Sequence, residues 1–311
     1  MYEPDIEKTS FSTPYGKYEY LKMTFGLRGA PCTFQRLMNN ILSGLQGITL
    51  FVYMDDLVIY SESLTQHTQK MLQLLGRLKS AGLTLHPEKY FFLRTEVVYL
   101  GHLISQERVH PDPNKLKAVK EFPRPRTKKN VKEFQGLASY YRLLIKNFSL
   151  IAKPLNNLLK DDVDFKWGDD EEKAFDTLKD LLCKQPILQY PDFNKQFIVT
   201  TDASSVALGA ILRQKTLGQD LPVAYASRTL SPAEQKYSVT DLELLGIVYA
   251  VKQFRPYLYG KKFLIITDHK ALIYLHNMTE TSPRVTRWKL FLAEYDYDII
   301  FNLVLIFQNL Q

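Results

Sequence analysis

The chain has 311 residues, of which 45% are hydrophobic, and carries a formal net charge of +7 with a pI near 9.1. Such a length and composition predict a soluble globular protein of about two or three domains. No apolar run reaches about 18 residues, which excludes a membrane-spanning helix, and the start of the chain lacks the apolar segment of a secretory signal. Cys32 and Cys183 lack the spacing of a zinc site. We expect reduced thiols in an intracellular protein, cytoplasmic or nuclear.

The first region, residues 1 to 105, is predicted to combine strands with one helix. Apolar flanks at 51–54 and 57–60 predict a β-hairpin that carries Asp55 and Asp56 at its turn. Adjacent carboxylates repel each other, and a divalent cation such as Mg²⁺ relieves that repulsion. An exposed Asp-Asp turn without a metal explains the same pattern. The next segment predicts a helix that stops at Gly82 and has an apolar face of Met71, Leu74, Leu75 and Leu78.

The middle region, residues 106 to 192, is predicted to be helical and basic. Between Lys115 and Lys160 the sequence has twelve lysines and arginines but only Glu121 and Glu133 as acids. The local excess of positive charge is larger than that of the whole chain. It indicates a surface that faces phosphates, or alternatively a solvated helical face.

The third region, residues 193 to 300, predicts alternating strands and helices, as in α/β or α+β domains. We expect a hairpin over 197–214 and a short buried strand within 261–269. Between them, residues 239–258 predict an amphipathic helix, whose apolar face consists of Leu244, Ile247, Val248 and Val251.

Three acids in this region are candidates for a second metal site. Asp202 ends the first strand, Glu243 lies near the start of the helix, and Asp268 ends a later strand. Each has a structural explanation of its own. Asp202 suits a hairpin turn, residues 240–243 fit a capping box, and Asp268 can cap a helix that begins near Lys270.

Several motifs together resemble the reverse transcriptase of gypsy-type LTR retrotransposons. The segment 53–56, Tyr-Met-Asp-Asp, is similar to the signature of that family. Further matches lie at 25–31 and 33–35, at 85–92 and at 100–105. Residues 134–159 resemble the thumb and connection, although we expect Tyr140, Tyr141 and Phe148 to pack in a core. The surroundings of Asp202, Glu243 and Asp268 resemble the ribonuclease H domain of the same elements.

The resemblance implies an α+β protein. It implies a truncated reverse transcriptase palm over 1–105, which lacks the fingers and the first catalytic strand, and a helical, basic thumb and connection over 106–192. An α/β ribonuclease H-like domain with a mixed five-stranded sheet would follow over 193–300, with a divergent tail over 301–311. The apolar tail could pair as an edge strand.

The resemblance also implies functional residues and partners. Two-metal sites with Mg²⁺, or Mn²⁺ as a substitute, would use Asp55 and Asp56 in the palm and Asp202, Glu243 and Asp268 in the ribonuclease H domain. The partners would be an RNA template, a DNA primer, an RNA/DNA hybrid and dNTPs, with no membrane. The expected nucleic-acid-binding residues are Phe25, Gly26, Gln35, Lys89, Gly101, His102, Lys128 and Lys129.

Two hypotheses of function follow from the sequence. The chain is either an RNA-directed DNA polymerase with ribonuclease H activity, or a non-catalytic nucleic-acid-binding remnant of a decayed element. The expected third palm aspartate and fourth ribonuclease H carboxylate have no match in the sequence. We therefore expect little or no polymerase activity. For the ribonuclease H activity, the sequence favours neither hypothesis. The sequence does not indicate an oligomeric state.

Overall fold

The computed structural model describes residues 1–106, 108–184, 188–216, 219–277 and 282–301. The chain divides into two units, Met1–Arg94 and Thr95–Gln311. Cys32 and Cys183 are both free thiols, as expected. No helix in the described part of the chain is long and apolar enough to cross a membrane. Apart from residue 301, the tail over 301–311 lies outside the described residues, so its expected strand pairing stays a prediction.

The first unit contains two hairpins and two longer helices. Its elements are β1 (Phe11–Thr13), β2 (Gly16–Tyr18), α1 (Ala30–Ile41), β3 (Leu50–Tyr53), β4 (Asp56–Ile59) and α2 (Leu64–Ser80). The two helices and the β3–β4 hairpin share one apolar core, formed by Met38, Leu42, Leu45, Leu50, Val52, Leu74 and Leu78. Helix α2 was predicted, and Gly82 follows it with a φ of +69°, which favours glycine. Of its predicted apolar face, Met71 is half-buried and Leu75 is exposed.

The predicted hairpin around the two aspartates is confirmed, but its turn lies one residue earlier than expected. Tyr53 pairs with Asp56, so Met54 and Asp55 form the turn and Asp56 belongs to β4. Met54 adopts a φ of +54°, a conformation that two-residue hairpin turns require. The sequence could not place this turn, because methionine seldom adopts a positive φ.

The second unit begins with a four-stranded antiparallel sheet and a group of helices. The sheet consists of β5 (Val97–Tyr99), β6 (His102–Ile104), β7 (Arg108–Pro111) and β8 (Leu188–Gln189). The helices are α3 (Pro113–Lys120), α4 (Lys128–Tyr140), α5 (Phe148–Ile151), α6 (Lys153–Leu158) and α7 (Asp169–Cys183). They share an apolar core that includes Phe134, Leu155 and Leu178. The β5–β6 turn, which the sequence places in the first region, therefore belongs to the second unit.

The rest of the second unit is built on a five-stranded mixed sheet, as predicted. It contains β9 (Phe197–Ala203), β10 (Ala207–Thr216), β11 (Gln219–Thr229), α8 (Val239–Gln253), α9 (Arg255–Leu258), β12 (Phe263–Thr267), α10 (Pro283–Leu292) and β13 (Tyr297–Phe301). The strand order is β11-β10-β9-β12-β13. Strands β9, β10 and β11 are antiparallel, whereas β12 runs parallel to both β9 and β13.

Helix α8 is buried on all sides, so the prediction of an amphipathic helix was wrong. Every residue from Leu242 to Val251 is buried. The helix packs closely on β9, because a Cβ on Gly246 would lie 3.7 Å from the Thr201 side chain. The predicted capping box was also wrong, since Ser238 caps the helix by accepting a hydrogen bond from the Asp241 N–H. Glu243 consequently lies beyond the first turn.

Candidate active sites and nucleic-acid interface

Two of the three candidate acids of the second unit lie at the carboxyl ends of neighbouring parallel strands. Asp202 is the penultimate residue of β9, and Asp268 directly follows the last residue of β12. Residues 264–266 of β12 pair with residues 198–200 of β9. Continuation of this register places Asp268 level with Asp202, on the same side of the pleat. The two residues therefore lie at the same end of the sheet, on adjacent strands.

Glu243 joins this pair from helix α8. Its side chain is only 6% exposed, and its Oε2 atom has no hydrogen-bond partner among the described residues. Burial raises the pKa of Glu243 to about 8. Burial is the largest cause of this shift, the charges of Asp268 and then Asp202 contribute to it, and a hydrogen bond from the Ala203 backbone opposes it. Glu243 is therefore mostly protonated at neutral pH when no cation is bound.

Asp202 experiences the same combination of effects more weakly. Its side chain is exposed, yet neighbouring protein atoms desolvate it enough to raise its pKa. Asp268 adds repulsion, and the ammonium of Lys146 acts in the opposite direction. The three carboxylates thus form one electrostatic cluster with too little positive charge to balance it.

These acids are suited to a divalent cation by chemistry, but they are not a preformed cage. Carboxylate oxygens are the preferred ligands of Mg²⁺, and the buried unpartnered oxygen of Glu243 is an available donor. Among the described residues, however, no group of three His, Cys, Asp or Glu side chains lies close enough together to hold one ion. The metal-ligand roles of Asp202, Glu243 and Asp268 therefore remain predictions.

Side chains next to the cluster connect α8 to the segments around it. The Thr240 hydroxyl and His269 Nε2 are hydrogen-bonded at 2.9 Å, which ties the start of α8 to the end of β12. Arg284 of α10 forms an ion pair with Asp241 and covers the Tyr237 ring. These contacts hold the backbone next to Glu243 and Asp268. The sequence did not predict them, because the partners are distant in the chain.

The candidate site of the first unit is more open. Asp55 and Asp56 are both exposed, at the tip of the β3–β4 hairpin. Gln35 from helix α1 holds this tip, since its Oε1 accepts a hydrogen bond from the Met54 N–H at 2.5 Å. Its Nε2 donates to Asn39 Oδ1 at 2.8 Å. Gln35 was expected to contact nucleic acid, and the structure shows a contact that the sequence did not predict.

Three other predicted nucleic-acid-binding residues of the first unit are exposed. Phe25 is fully solvent-accessible, and Gly26 beside it has a φ of +89°. Lys89 ends a short 3-10 helix, Pro87–Lys89, and is also exposed. All three are accessible to a ligand, and their roles remain predictions.

The predicted Gly101 and His102 lie at the turn between β5 and β6. Leu100 and Gly101 have φ values of +47° and +68°. The positive φ favours glycine, and a Cβ on Gly101 would also lie 2.6 Å from Lys115 Nζ and 3.0 Å from the Tyr140 ring, so both side chains would have to shift. The His102 ring donates from Nδ1 to the Leu100 carbonyl at 2.9 Å. The turn is thus closely surrounded by side chains.

Tyr140 and Tyr141 hold this turn through their hydroxyl groups. Tyr140 donates to the Leu100 carbonyl, and Tyr141 donates to the Gly101 carbonyl at 2.7 Å. Tyr141 is buried, which raises its pKa to about 12, whereas Tyr140 is 46% exposed. The predicted core packing therefore holds for Tyr141 and for the buried Phe148, but not for Tyr140.

Some basic side chains of the middle region have partners within the protein, whereas others are exposed to solvent. Lys128 donates to the Lys160 carbonyl at 2.6 Å, and Arg124 forms a 2.8 Å ion pair with Glu172. Lys129 is exposed and has no ion-pair partner in the described part of the chain. Of these two lysines, Lys129 has the more exposed side chain, and the Lys160 carbonyl occupies one of the three donors of Lys128.

Comparison with known proteins assigns the family. Residues 1–104 match the model described as reverse transcriptase (RNA-dependent DNA polymerase). Residues 192–295 match the RNase H-like domain found in reverse transcriptase. The chain is 45% identical, over 96% of its length, to the retrovirus-related Pol polyprotein from transposon 297 of Drosophila melanogaster. It is 36% identical, over 96% of its length, to the corresponding polyprotein from transposon gypsy of the same organism. The chain belongs to the gypsy-type retrotransposon Pol family.

This Pol chain spans only 28% and 30% of the length of those two relatives. Among solved structures, it is similar to a foamy viral protease-reverse transcriptase in complex with double-stranded DNA. The TM-score is 0.85 at 21% identity, with 98% of this chain and 54% of that chain covered. A second structure of that protein, with an RNA/DNA hybrid, has a TM-score of 0.79 at 22% identity and covers 95% of this chain and 41% of that chain. The predicted family and α+β fold are confirmed.

Proposed function

We propose that the acid cluster of the second unit cleaves the RNA strand of an RNA/DNA hybrid with the help of divalent cations. The observation that carries this proposal is the burial of Glu243 beside Asp202 and Asp268, with one carboxylate oxygen unpartnered. A buried acid of this kind is a common feature of catalytic sites. The match of residues 192–295 to an RNase H-like domain supports the same chemistry.

The three acids would act by holding Mg²⁺ or Mn²⁺, which, when bound, activates water and stabilises negative charge at the cleaved phosphate. Asp202 and Asp268 lie at the carboxyl ends of β9 and β12, where an incoming phosphate backbone can approach them. Glu243 is neutral at pH 7 in the cation-free protein and must lose its proton to become a ligand. Cation binding at this site is therefore expected to strengthen as the pH rises through about 8.

Cleavage of a fluorescently labelled RNA/DNA hybrid by the purified chain, with Mg²⁺ or Mn²⁺, tests this function. Asp202→Asn should abolish cleavage and leave binding of the hybrid almost intact. Asp161→Asn, which changes an exposed acid outside the sheet, is the matched control. Binding without cleavage in every metal would contradict the proposal and support a non-catalytic nucleic-acid-binding protein.

We further propose RNA-directed DNA synthesis at Asp55 and Asp56, with an RNA template, a DNA primer and dNTPs as partners. Residues 1–104 match the reverse transcriptase model, and the hairpin presents both carboxylates to solvent. Divalent cations held there would neutralise the phosphates of the incoming nucleotide. Primer extension on an RNA template tests this activity. A product that persists unchanged in Asp55→Asn would exclude the hairpin as its site.

A further inference from the structure

A segment of the helical region is anchored to the five-stranded sheet next to the acid cluster. The Ser149 N–H donates to Ser227 Oγ at 3.0 Å, and the Ser149 hydroxyl donates to the Ser227 carbonyl at 2.7 Å. Arg142 donates to the same carbonyl at 2.7 Å. Both serines are buried, so these bonds are shielded from water. Residues 142–149 are thus held in a defined position against β11.

The anchored segment also lies against the strand pair that carries Asp202. Asn147 has a left-handed φ of +56°, and its Oδ1 atom would lie 2.9 Å from a Cβ added to Gly209. Gly209 on β10 is the direct pairing partner of Asp202 on β9. The missing side chain of Gly209 therefore leaves space for Asn147 beside the strand that carries the acid.

Lys146, which precedes Asn147, places a positive charge beside the acids. Its side chain is half-buried, and none of the ion pairs between described residues includes Lys146. Burial lowers the pKa of Lys146, the charge of Asp202 raises it, and Arg213 lowers it. The ammonium is thus close enough to influence Asp202 but does not bind it directly. Its hydrogen-bonding capacity remains available to another anion.

We propose that Lys146 is a phosphate-binding residue of the nuclease site and contacts the RNA backbone beside the cleaved bond. This inference rests on the proposed hybrid cleavage at Asp202. A cluster of carboxylates repels a polyanion, and a nearby lysine offsets that repulsion with a point charge. Lys146 lies outside the matched RNase H-like residues 192–295. The sheet therefore obtains part of its substrate site from the helical region.

Binding of a labelled RNA/DNA hybrid to the full chain, by fluorescence anisotropy with Ca²⁺ in place of Mg²⁺, tests the proposal. Lys146→Gln should weaken binding about three- to tenfold and reduce the slope of log K against log salt by about 0.7 to 0.9, the loss of one phosphate contact. Lys146→Arg should retain both values. Lys153→Gln, a half-exposed lysine of α6, is the matched control and should change neither. In the cleavage assay, Lys146→Gln should raise KM more than it lowers kcat.

An unchanged salt slope in Lys146→Gln would overturn the proposal, as would an equal change in Lys153→Gln. Thermal unfolding of each variant identifies losses that arise from misfolding. If Lys146→Gln does not fold, chemical acetylation of the wild-type chain provides the test instead. Bound hybrid should then block acetylation of Lys146 but not of Lys153. If the wild-type chain cleaves the hybrid but Lys146→Gln does not change the salt slope of binding, the inference about Lys146 is rejected and the proposed nuclease function is retained. Absent cleavage with a reduced slope rejects the proposed nuclease function and retains the phosphate contact.

Discussion

The two acid sites of this chain differ in how their carboxylates are brought together. Asp55 and Asp56 are neighbours in sequence, and both are exposed at a hairpin tip that Gln35 holds. Asp202, Glu243 and Asp268 come from two strands and a helix, and Glu243 is buried. Adjacency in sequence is sufficient to place two charges side by side. In the second unit, burial against a packed sheet, together with two neighbouring carboxylates, raises the pKa of Glu243 to about 8.

The largest expected effect is the loss of hybrid cleavage when an acid of the second unit, but not of the first, is replaced. Asp202→Asn should reduce hybrid cleavage about 100-fold or more, because a cation ligand supplies several kcal/mol of charge stabilisation. Asp55→Asn should leave cleavage unchanged and should reduce only primer extension, to the extent that the wild-type chain shows it. Single-turnover cleavage and primer extension, measured on both variants, provide the test. If Asp55→Asn lowered cleavage as much as Asp202→Asn does, the two sites would not be independent.

The second prediction concerns pH and the buried Glu243. Its pKa in the folded protein is about 8, against 4.5 for the unperturbed group. The folded state therefore holds the proton more tightly. The contribution of the Glu243 carboxyl to stability is complete below about pH 4.5 and is lost as the pH rises through about 8, a change of about 5 kcal/mol. Glu243→Gln should remove this pH dependence. Urea unfolding without metal, followed by the fluorescence of Trp167 and Trp288, measures it in the second unit.

Glu234 provides a control of opposite sign for this pH experiment. The Arg228 side chain hydrogen-bonds Glu234 and lowers its pKa to about 2. Its contribution to stability is therefore present above about pH 4.5 and lost as the pH falls through about 2. Glu234→Gln should lower the free energy of unfolding at pH 7 and leave the loss between pH 4.5 and 8 in place. If Glu243→Gln still lost stability between pH 4.5 and 8, Glu243 would be excluded as the source of that loss.

The third prediction concerns the turn of the second unit. Gly101→Ala should destabilise that unit by about 1 to 3 kcal/mol, since alanine must adopt a positive φ and displace Lys115 and Tyr140. Tyr141→Phe, which removes the hydroxyl that donates to the Gly101 carbonyl, should cost about 1 kcal/mol. Urea unfolding followed by tryptophan fluorescence measures both. Equal stability of Gly101→Ala and wild type would contradict the requirement for glycine.

The fourth prediction concerns the hairpin tip of the first unit. Gln35→Ala should remove the acceptor for the Met54 N–H and weaken the turn by about 1 kcal/mol. Faster hydrogen exchange at the Met54 amide is the direct measurement. Gln35→Glu keeps an acceptor for that amide and should retain most of its protection. Loss of protection in both variants alike would show that the acceptor atom does not hold the turn.

The smallest expected effect distinguishes two adjacent lysines. Lys129→Gln should reduce the salt slope of hybrid binding by about 0.7 to 0.9, because this exposed lysine is free to contact a phosphate. Lys128→Gln should leave the slope unchanged and instead loosen the contact between α4 and the Lys160 carbonyl. Anisotropy titrations at several salt concentrations compare them. A reduced slope for Lys128→Gln alone would reverse the assignment.

Much of the fold could be predicted from local patterns. Apolar, β-favouring flanks predicted the hairpin at 51–60, a second hairpin was predicted at 197–214, and helical spacing predicted α2; the structure contains all three. The order Asp202, Glu243, Asp268 along the chain, with its resemblance to ribonuclease H, predicted the second site. Local patterns failed where a residue interacts with distant parts of the chain. The hairpin turn lies one residue earlier than predicted, and α8 was predicted to be amphipathic although every residue from Leu242 to Val251 is buried.

The sequence by itself determined the family, the order of the regions and the identities of the candidate acids, because these depend on motifs and on short-range periodicity. The tertiary structure alone decided the environment of those residues. It decided that Glu243 is buried and holds its proton, that Gln35 and Tyr141 support turns, and that Lys146 lies beside Asp202. Desolvation and long-range charge interactions depend on which distant segments of the chain pack together, and no local sequence pattern encodes the distances between those segments.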